Sequence, residues 1–131
     1  MEDATWGRPL DLSDLAADVD PSTPAIWTPE GTVTYGELVT LVRQQQSRLP
    51  DRRSLIVLTV DDSLGSVVSY LACIASNLPT ILLPQGEDNF LSEVALQYDP
   101  NFIVDGPSGR VTHRSATEHK LHPELQILLS T

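Results

Sequence analysis

Four short runs rich in apolar, β-forming residues punctuate the chain. They are Ser54 to Val60 (SLIVLTV), Thr80 to Leu83 (TILL), Phe102 to Val104 (FIV) and Leu125 to Leu129 (LQILL). A nearly continuous apolar run such as the first has no polar face to turn to water, so it suits a strand covered on both sides. The stretches between the first three runs place apolar residues at helical spacing. Strands alternating with helices of this kind imply an α/β architecture: a mostly parallel sheet with helices on both faces.

The local signals agree with that layout. Ala25 to Thr34 (AIWTPEGTVT) reads as a β-hairpin with arms AIWT and TVT and a turn at Pro29-Glu30-Gly31. Gly31 can take the positive φ such a turn needs. Trp27 and Tyr35 are expected to pack the hairpin onto the helix that follows. Thr34 and Glu37 have the spacing of a capping box, which starts that helix. It turns Leu38, Leu41, Val42 and Leu49 inward and leaves Gln44, Gln45, Ser47 and Arg48 on the opposite face, and Pro50 ends it. Asp61-Asp62-Ser63 can cap a second helix, with Leu64, Val67, Val68, Leu71, Ile74 and Ala75 inward. Its Gly65, Ser66, Ser69, Ala72 and Ser76 keep the other faces slim enough for close packing. A third helix spans Asn89 to Tyr98, with Leu91, Val94, Ala95 and Tyr98 inward and Asp99-Pro100-Asn101 as its stop. Pro107 to Lys120 is polar and reads as a loop or exposed hairpin.

Residues 1–23 form an Asp- and Pro-rich extension in which Asp11 to Val19 (DLSDLAADV) has the spacing of a short helix. Residues 24–131 then make a single α/β unit, a size that supports one hydrophobic core.

Charge narrows the function. Eight Lys and Arg against 18 Asp and Glu give a net charge of −10. That field repels nucleic-acid phosphates and anionic lipid, so polyanion binding is not expected. No apolar stretch reaches the roughly 18 residues of a membrane span. The chain starts MEDATWGRPL, without the basic and apolar pattern of a secretory signal, and has one cysteine, Cys73; a cytoplasmic protein is expected.

Few residues offer chemistry. Asp61-Asp62 follows one buried strand and Asp105 follows another, and in a parallel sheet these ends lie on the edge where ligands bind. Three carboxylates there could hold Mg²⁺ in the manner of a receiver domain that accepts a phosphoryl group at Asp105. The plainer reading is a helix cap at Asp62 and an Asp-Gly turn at Asp105. Two features oppose the receiver: about fifty residues precede the acidic pair, and no strand ends in Lys. His113, His119 and His122 lack zinc-site spacing and read as solvated. Cys73 sits beside Ile74 in a helix with no adjacent His and reads as a small core residue. Neither a Gly-x-Gly-x-x-Gly nor a Walker pattern occurs. No complete active site is visible.

The order of the segments carries a resemblance. Pro24-Ala25-Ile26-Trp27 with Val33-Thr34-Tyr35-Gly36-Glu37-Leu38 looks like a hairpin followed by a TYxEL helix start. Ser69 to Pro84 (SYLACIASNLPTILLP) looks like a helix and strand written A-L-A-x-x-x-A-G-x-x-x-V-P-L. Tyr98 to Val104 (YDPNFIV) is similar to Y-x-P-x-x-I. Leu128-Leu129-Ser130-Thr131 looks like the strand that enters a T-S-G-S-T-G-x-P-K loop. Together, over Pro24 to Thr131, they resemble the N-terminal part of adenylate-forming enzymes: acyl-CoA synthetases, fatty acyl-AMP ligases and nonribosomal peptide adenylation domains. Two departures stand out. Asn77-Leu78-Pro79 occupies the place of the usual Gly, and Pro84 is followed by Gln85-Gly86 rather than Asp.

The resemblance implies a truncated N-terminal subdomain. The family joins a carboxylic acid to ATP, giving acyl-AMP and pyrophosphate, and passes the acyl group to a thiol. Ser130 and Thr131 would open its phosphate loop. ATP and Mg²⁺ would belong to the full-length enzyme, and neither is expected to bind tightly to this piece. The implied partner is the remainder of the ligase, or a second copy covering an exposed apolar face. A different class of function is a stand-alone, non-catalytic interaction module with the same fold.

Overall fold

A computed structural model of the chain describes residues 19–120 and 127–129. The chain opens with a two-stranded antiparallel hairpin, β1 (Pro24–Thr28) and β2 (Gly31–Thr34). The main body follows as α1 (Tyr35–Gln46), β3 (Ile56–Val60), α2 (Leu64–Ala75), β4 (Thr80–Pro84) and α3 (Asp88–Tyr98). It closes with β5 (Phe102–Asp105), β6 (Arg110–His113) and β7 (Ile127–Leu129). The possible helix over Asp11 to Val19 lies outside the described residues but for its last residue.

The five-stranded sheet has the order β6-β5-β3-β4-β7. β3 pairs in parallel with both β4 and β5, and β7 pairs in parallel with β4, Thr80 opposite Ile127 and Leu82 opposite Leu129. The polar stretch after β5 is partly a strand: β6 returns antiparallel beside β5 at the sheet edge. From β3 the chain steps through α2 to β4 on one side. It then steps back through α3 to β5 on the other. Right-handed crossovers in opposite directions put the two helices on opposite faces.

The core obeys that division. On one face Ile56, Leu58 and Val104 meet Leu38, Val42 and Leu49 from α1 and its end, and Val68, Ala72 and Cys73 from α2. On the other, Leu55, Val57, Ile81 and Leu83 meet Val94 of α3. Burial on both faces explains the unbroken apolar run of β3.

Helix ends follow the sequence closely. Thr34 accepts a hydrogen bond from the Glu37 N–H at 3.2 Å, and Glu37 Oε1 accepts one from the Thr34 N–H at 2.9 Å, completing the capping box. Ser63, rather than Asp62, caps α2 by accepting from the Ser66 N–H. The far end of α2 closes in a Schellman motif: the Leu78 N–H bonds Cys73 O and the Asn77 N–H bonds Ile74 O. Asn77 takes φ of 56° there, so it fills the left-handed position for which glycine is the usual choice.

Some side-chain placements differ from expectation. Trp27 is 73% exposed and does not pack the hairpin down. Its alternate neighbour Ile26 does so instead, against the α1 side of the core. Tyr98 is 40% exposed. Val67 and Ala75 of α2 are only half-buried, because its slim side is the one pressed deepest: Ser66, Ser69 and Ala72 are buried. Gln45 is also buried, because its Nε2 donates to Gly109 O at 2.9 Å and so ties α1 to the β5–β6 turn. Cys73 is a buried core residue, and burial pushes its thiol up to about 12.

Candidate functional site at the carboxyl edge of the sheet

The loops after β3, β4 and β5 gather at the carboxyl edge, where open α/β sheets receive ligands. β7 runs parallel to β4 and so delivers the chain to the same edge. Ser130 and Thr131, the expected opening of a phosphate loop, lie outside the described residues.

Close packing builds this edge. Gly65, at the start of α2, lies against the turn after β5: a Cβ there would sit 2.1 Å from Pro107 O. A Cβ on Gly106 would sit 2.2 Å from Thr59 O. The Gly106 N–H donates to that same Thr59 O at 2.8 Å, and Ser69 Oγ donates to Gly106 O at 3.0 Å. These contacts hold the ends of β3 and β5 and the start of α2 together.

The carboxylates are occupied by local structure. Asp61 Oδ1 accepts from the Ser63 N–H at 2.9 Å and from Ser66 Oγ at 2.8 Å. Hydrogen bonds from Ser63 first, then Ser66, hold Asp61 below the usual carboxylate range. Asp105 Oδ2 accepts from Ser108 Oγ at 2.5 Å and from the Ser108 N–H at 3.2 Å, while Gln85 Nε2 reaches Asp105 Oδ1 at 3.0 Å. Ser108 is the main cause that holds Asp105 low. Gln85, the departure after Pro84, therefore links the β4 loop to the β5 loop. Sequence reading missed this link because it joins residues 20 apart.

Asp61, Asp62 and Asp105 do not form the Mg²⁺ site of a receiver. Among the described residues no group of three His, Cys, Asp or Glu could hold a metal ion. Asp61 and Asp105 serve a helix cap and a turn instead. The histidines are not simply solvated: His119 Nε2 lies 2.8 Å from Asp99 O, and His113 meets the Phe102 ring edge-on at 5.1 Å. His122 lies outside the described residues.

Asp61, Asp62, Glu87, Asp88 and Asp105 all lie in or beside the segments that follow β3, β4 and β5, with Arg110 at the start of β6, so this edge is rich in carboxylates.

The depressed carboxylates have a measurable consequence. Asp61, Asp99 and Asp105 all sit below their ordinary value of 3.8 in the folded chain; the causes at Asp99 are hydrogen bonds from Thr117 first and then Arg114. A carboxylate whose folded value is depressed stabilises the fold above its unfolded value, and that contribution disappears as pH falls through the folded value. Urea midpoints should therefore hold steady down to about pH 5 and drop below about pH 4. A midpoint that rises on acidification would contradict these assignments.

No family model matches the chain, and no curated protein matches it by sequence. Solved structures do. Apo MatB from Rhodopseudomonas palustris matches with a TM-score of 0.61 and 23% identity over 76% of this chain and 21% of its own. IdnL1 matches with a TM-score of 0.58 and 21% identity over 85% of this chain and 22% of its own. The chain thus spans about a fifth of the length of these neighbours. The likeness shows a shared fold: this chain is built like one part of each of these proteins.

Proposed function

We propose that the chain is the N-terminal subdomain of an AMP-forming, carboxylate-activating ligase and does not catalyse the reaction alone. The observation that carries this reading is the position of β7. It adds to the sheet in parallel beside β4 and points its carboxyl end, followed by Ser130 and Thr131, at the ligand edge. The match to a fifth of MatB and of IdnL1 supports the same reading.

In the whole enzyme, ATP with Mg²⁺ and a carboxylic acid would react to acyl-AMP and pyrophosphate, and a thiol would take the acyl group. That reaction demands groups placed to stabilise charge on the transferring phosphoryl centre. The carboxyl edge described above supplies carboxylates instead. This chain's contribution is a rigid support: Gly65, Gly106 and Ser69 fix the ends of β3 and β5 at the edge toward which the loop after β7 would project. Its proposed partner is the remainder of the ligase.

ATP–pyrophosphate exchange tests the reading. Residues 1–131 should give no exchange with any panel of carboxylic acids, whereas a chain continued through the downstream coding sequence should exchange. Exchange by residues 1–131 alone would contradict the proposal. A coding sequence with no Ser- and Gly-rich loop beyond Thr131 would shift the assignment to a non-catalytic interaction module.

A further inference from the structure

The two ends of the parallel strands differ in charge. The carboxyl edge is acidic, as described. At the amino edge lies a cleft of about 860 Å³ between the segment before β3 and the segment after β6. Arg52 and Arg53 line it from one side, and Lys120 and His113 from the other. Three of the chain's eight lysines and arginines thus meet in one cleft, against the carboxylates of Asp51 and Glu118. No carboxylate among the described residues forms an ion pair with Arg52 or Lys120. Arg53 is anchored, its Nη1 donating to Asn77 O at 2.8 Å.

The cleft is built rather than accidental, because one buried side chain ties both walls. Asn101 is 8% exposed. Its Oδ1 accepts from the Leu55 N–H at 2.8 Å, next to the Arg52–Arg53 wall. Its Nδ2 donates to Ser115 O at 3.0 Å and to Thr117 O at 2.7 Å, in the wall that leads to Lys120. The Phe102 ring, edge-on to His113, adds an apolar surface.

We propose that this amino-edge cleft binds a small, soluble, phosphate-bearing molecule, with Arg52 and Lys120 as its principal cationic contacts. A guanidinium fork matches two phosphate oxygens at once, and an ammonium adds a point charge. The volume falls in the range of small-molecule sites, roughly 300–1,000 Å³. The net charge of −10 repels extended polyanions and anionic membranes, so only a ligand small enough to sit within the local cationic field gains from it. The site is separate from the carboxyl edge and does not depend on the ligase reading.

The test is a titration of the ¹⁵N-labelled chain with inorganic pyrophosphate, ionic strength held constant with sodium chloride. The expected result is saturable shifts confined to residues 51–54 and 113–120. The double variant R52E/K120E should weaken binding by about tenfold or more, with unchanged thermal unfolding. If that variant does not fold, R52Q/K120Q carries the same expectation. Shifts that do not saturate, shifts centred on the carboxyl edge, or unaltered affinity in the variant would overturn the proposal. So would tighter binding of a polyglutamate peptide than of pyrophosphate.

Discussion

Replacing Gly106 with alanine is expected to cost about 3 kcal/mol or more of folding stability, read as a fall in the urea midpoint. The added methyl would sit 2.2 Å from Thr59 O and 2.8 Å from Ser66 Oγ. The first obstacle is backbone of the central strand, which does not swing aside as a side chain can. Relief requires the turn after β5 to move away from β3. That movement stretches the 2.8 Å bond from Gly106 N–H to Thr59 O and the 3.0 Å bond from Ser69 Oγ to Gly106 O. Gly65→Ala meets the same problem from the other side, 2.1 Å from Pro107 O. Gly86→Ala provides the contrast. Gly86 has φ of 91° and open space around it, so alanine there pays only the conformational penalty, on the order of 1 kcal/mol. Similar losses at Gly86 and Gly106 would show that the strand ends are not packed as described.

Asn101→Ala should destabilise the chain by about 2–4 kcal/mol. The asparagine makes three side-chain hydrogen bonds, and each removal has a different consequence. Without Oδ1, the Leu55 N–H is left inside the fold with no acceptor, which carries the full desolvation penalty of a buried donor. Without Nδ2, the carbonyls of Ser115 and Thr117 lose the group that holds their segment to the sheet. Two backbone bonds to Asn101 O, from Arg114 and Ser115, remain but lose their neighbours. Hydrogen exchange should quicken first across residues 114–117, before the central strand is affected. Against a total stability of roughly 5–15 kcal/mol for a domain, the loss is large enough to read without ambiguity. A change under about 0.5 kcal/mol would show that Asn101 is not the joint between the two segments.

These two residues also show where sequence reading stops. The strands β3, β4, β5 and β7 were legible because a run of buried-type residues is a local signal, and so were the capping box at Thr34 and Glu37 and the terminator at Pro100. The parallel direction of β3, β4 and β5 was legible because helices separate them; the order of strands across the sheet was not. Asn101 looked like part of a helix stop, since nothing near it in sequence marks the Leu55 N–H, 46 residues away, as its partner. Gln45 read as solvent-facing for the same reason: its partner, Gly109 O, is 64 residues distant. Trp27 read as packed because it is large and apolar, but in a two-residue alternation only one side of β1 reaches α1, and Ile26 occupies it. The slim residues of α2 were legible as a set. Which of them the turn after β5 would touch was not, because that depends on how the crossover lands. Of the candidate site only the edge itself was legible, since parallel strands must end together on one side, while the residues expected to open a phosphate loop, Ser130 and Thr131, lie outside the described residues.

The account rests on the closing strand, and backbone NMR on the labelled chain tests it most directly. Cross-strand contacts and exchange protection should link Thr80–Leu82 to Ile127–Leu129 in a parallel register, with Ile81 opposite Leu128. A segment 127–129 that is unprotected, helical, or paired antiparallel with any other strand would contradict the shared fold at the point where it meets the ligand edge.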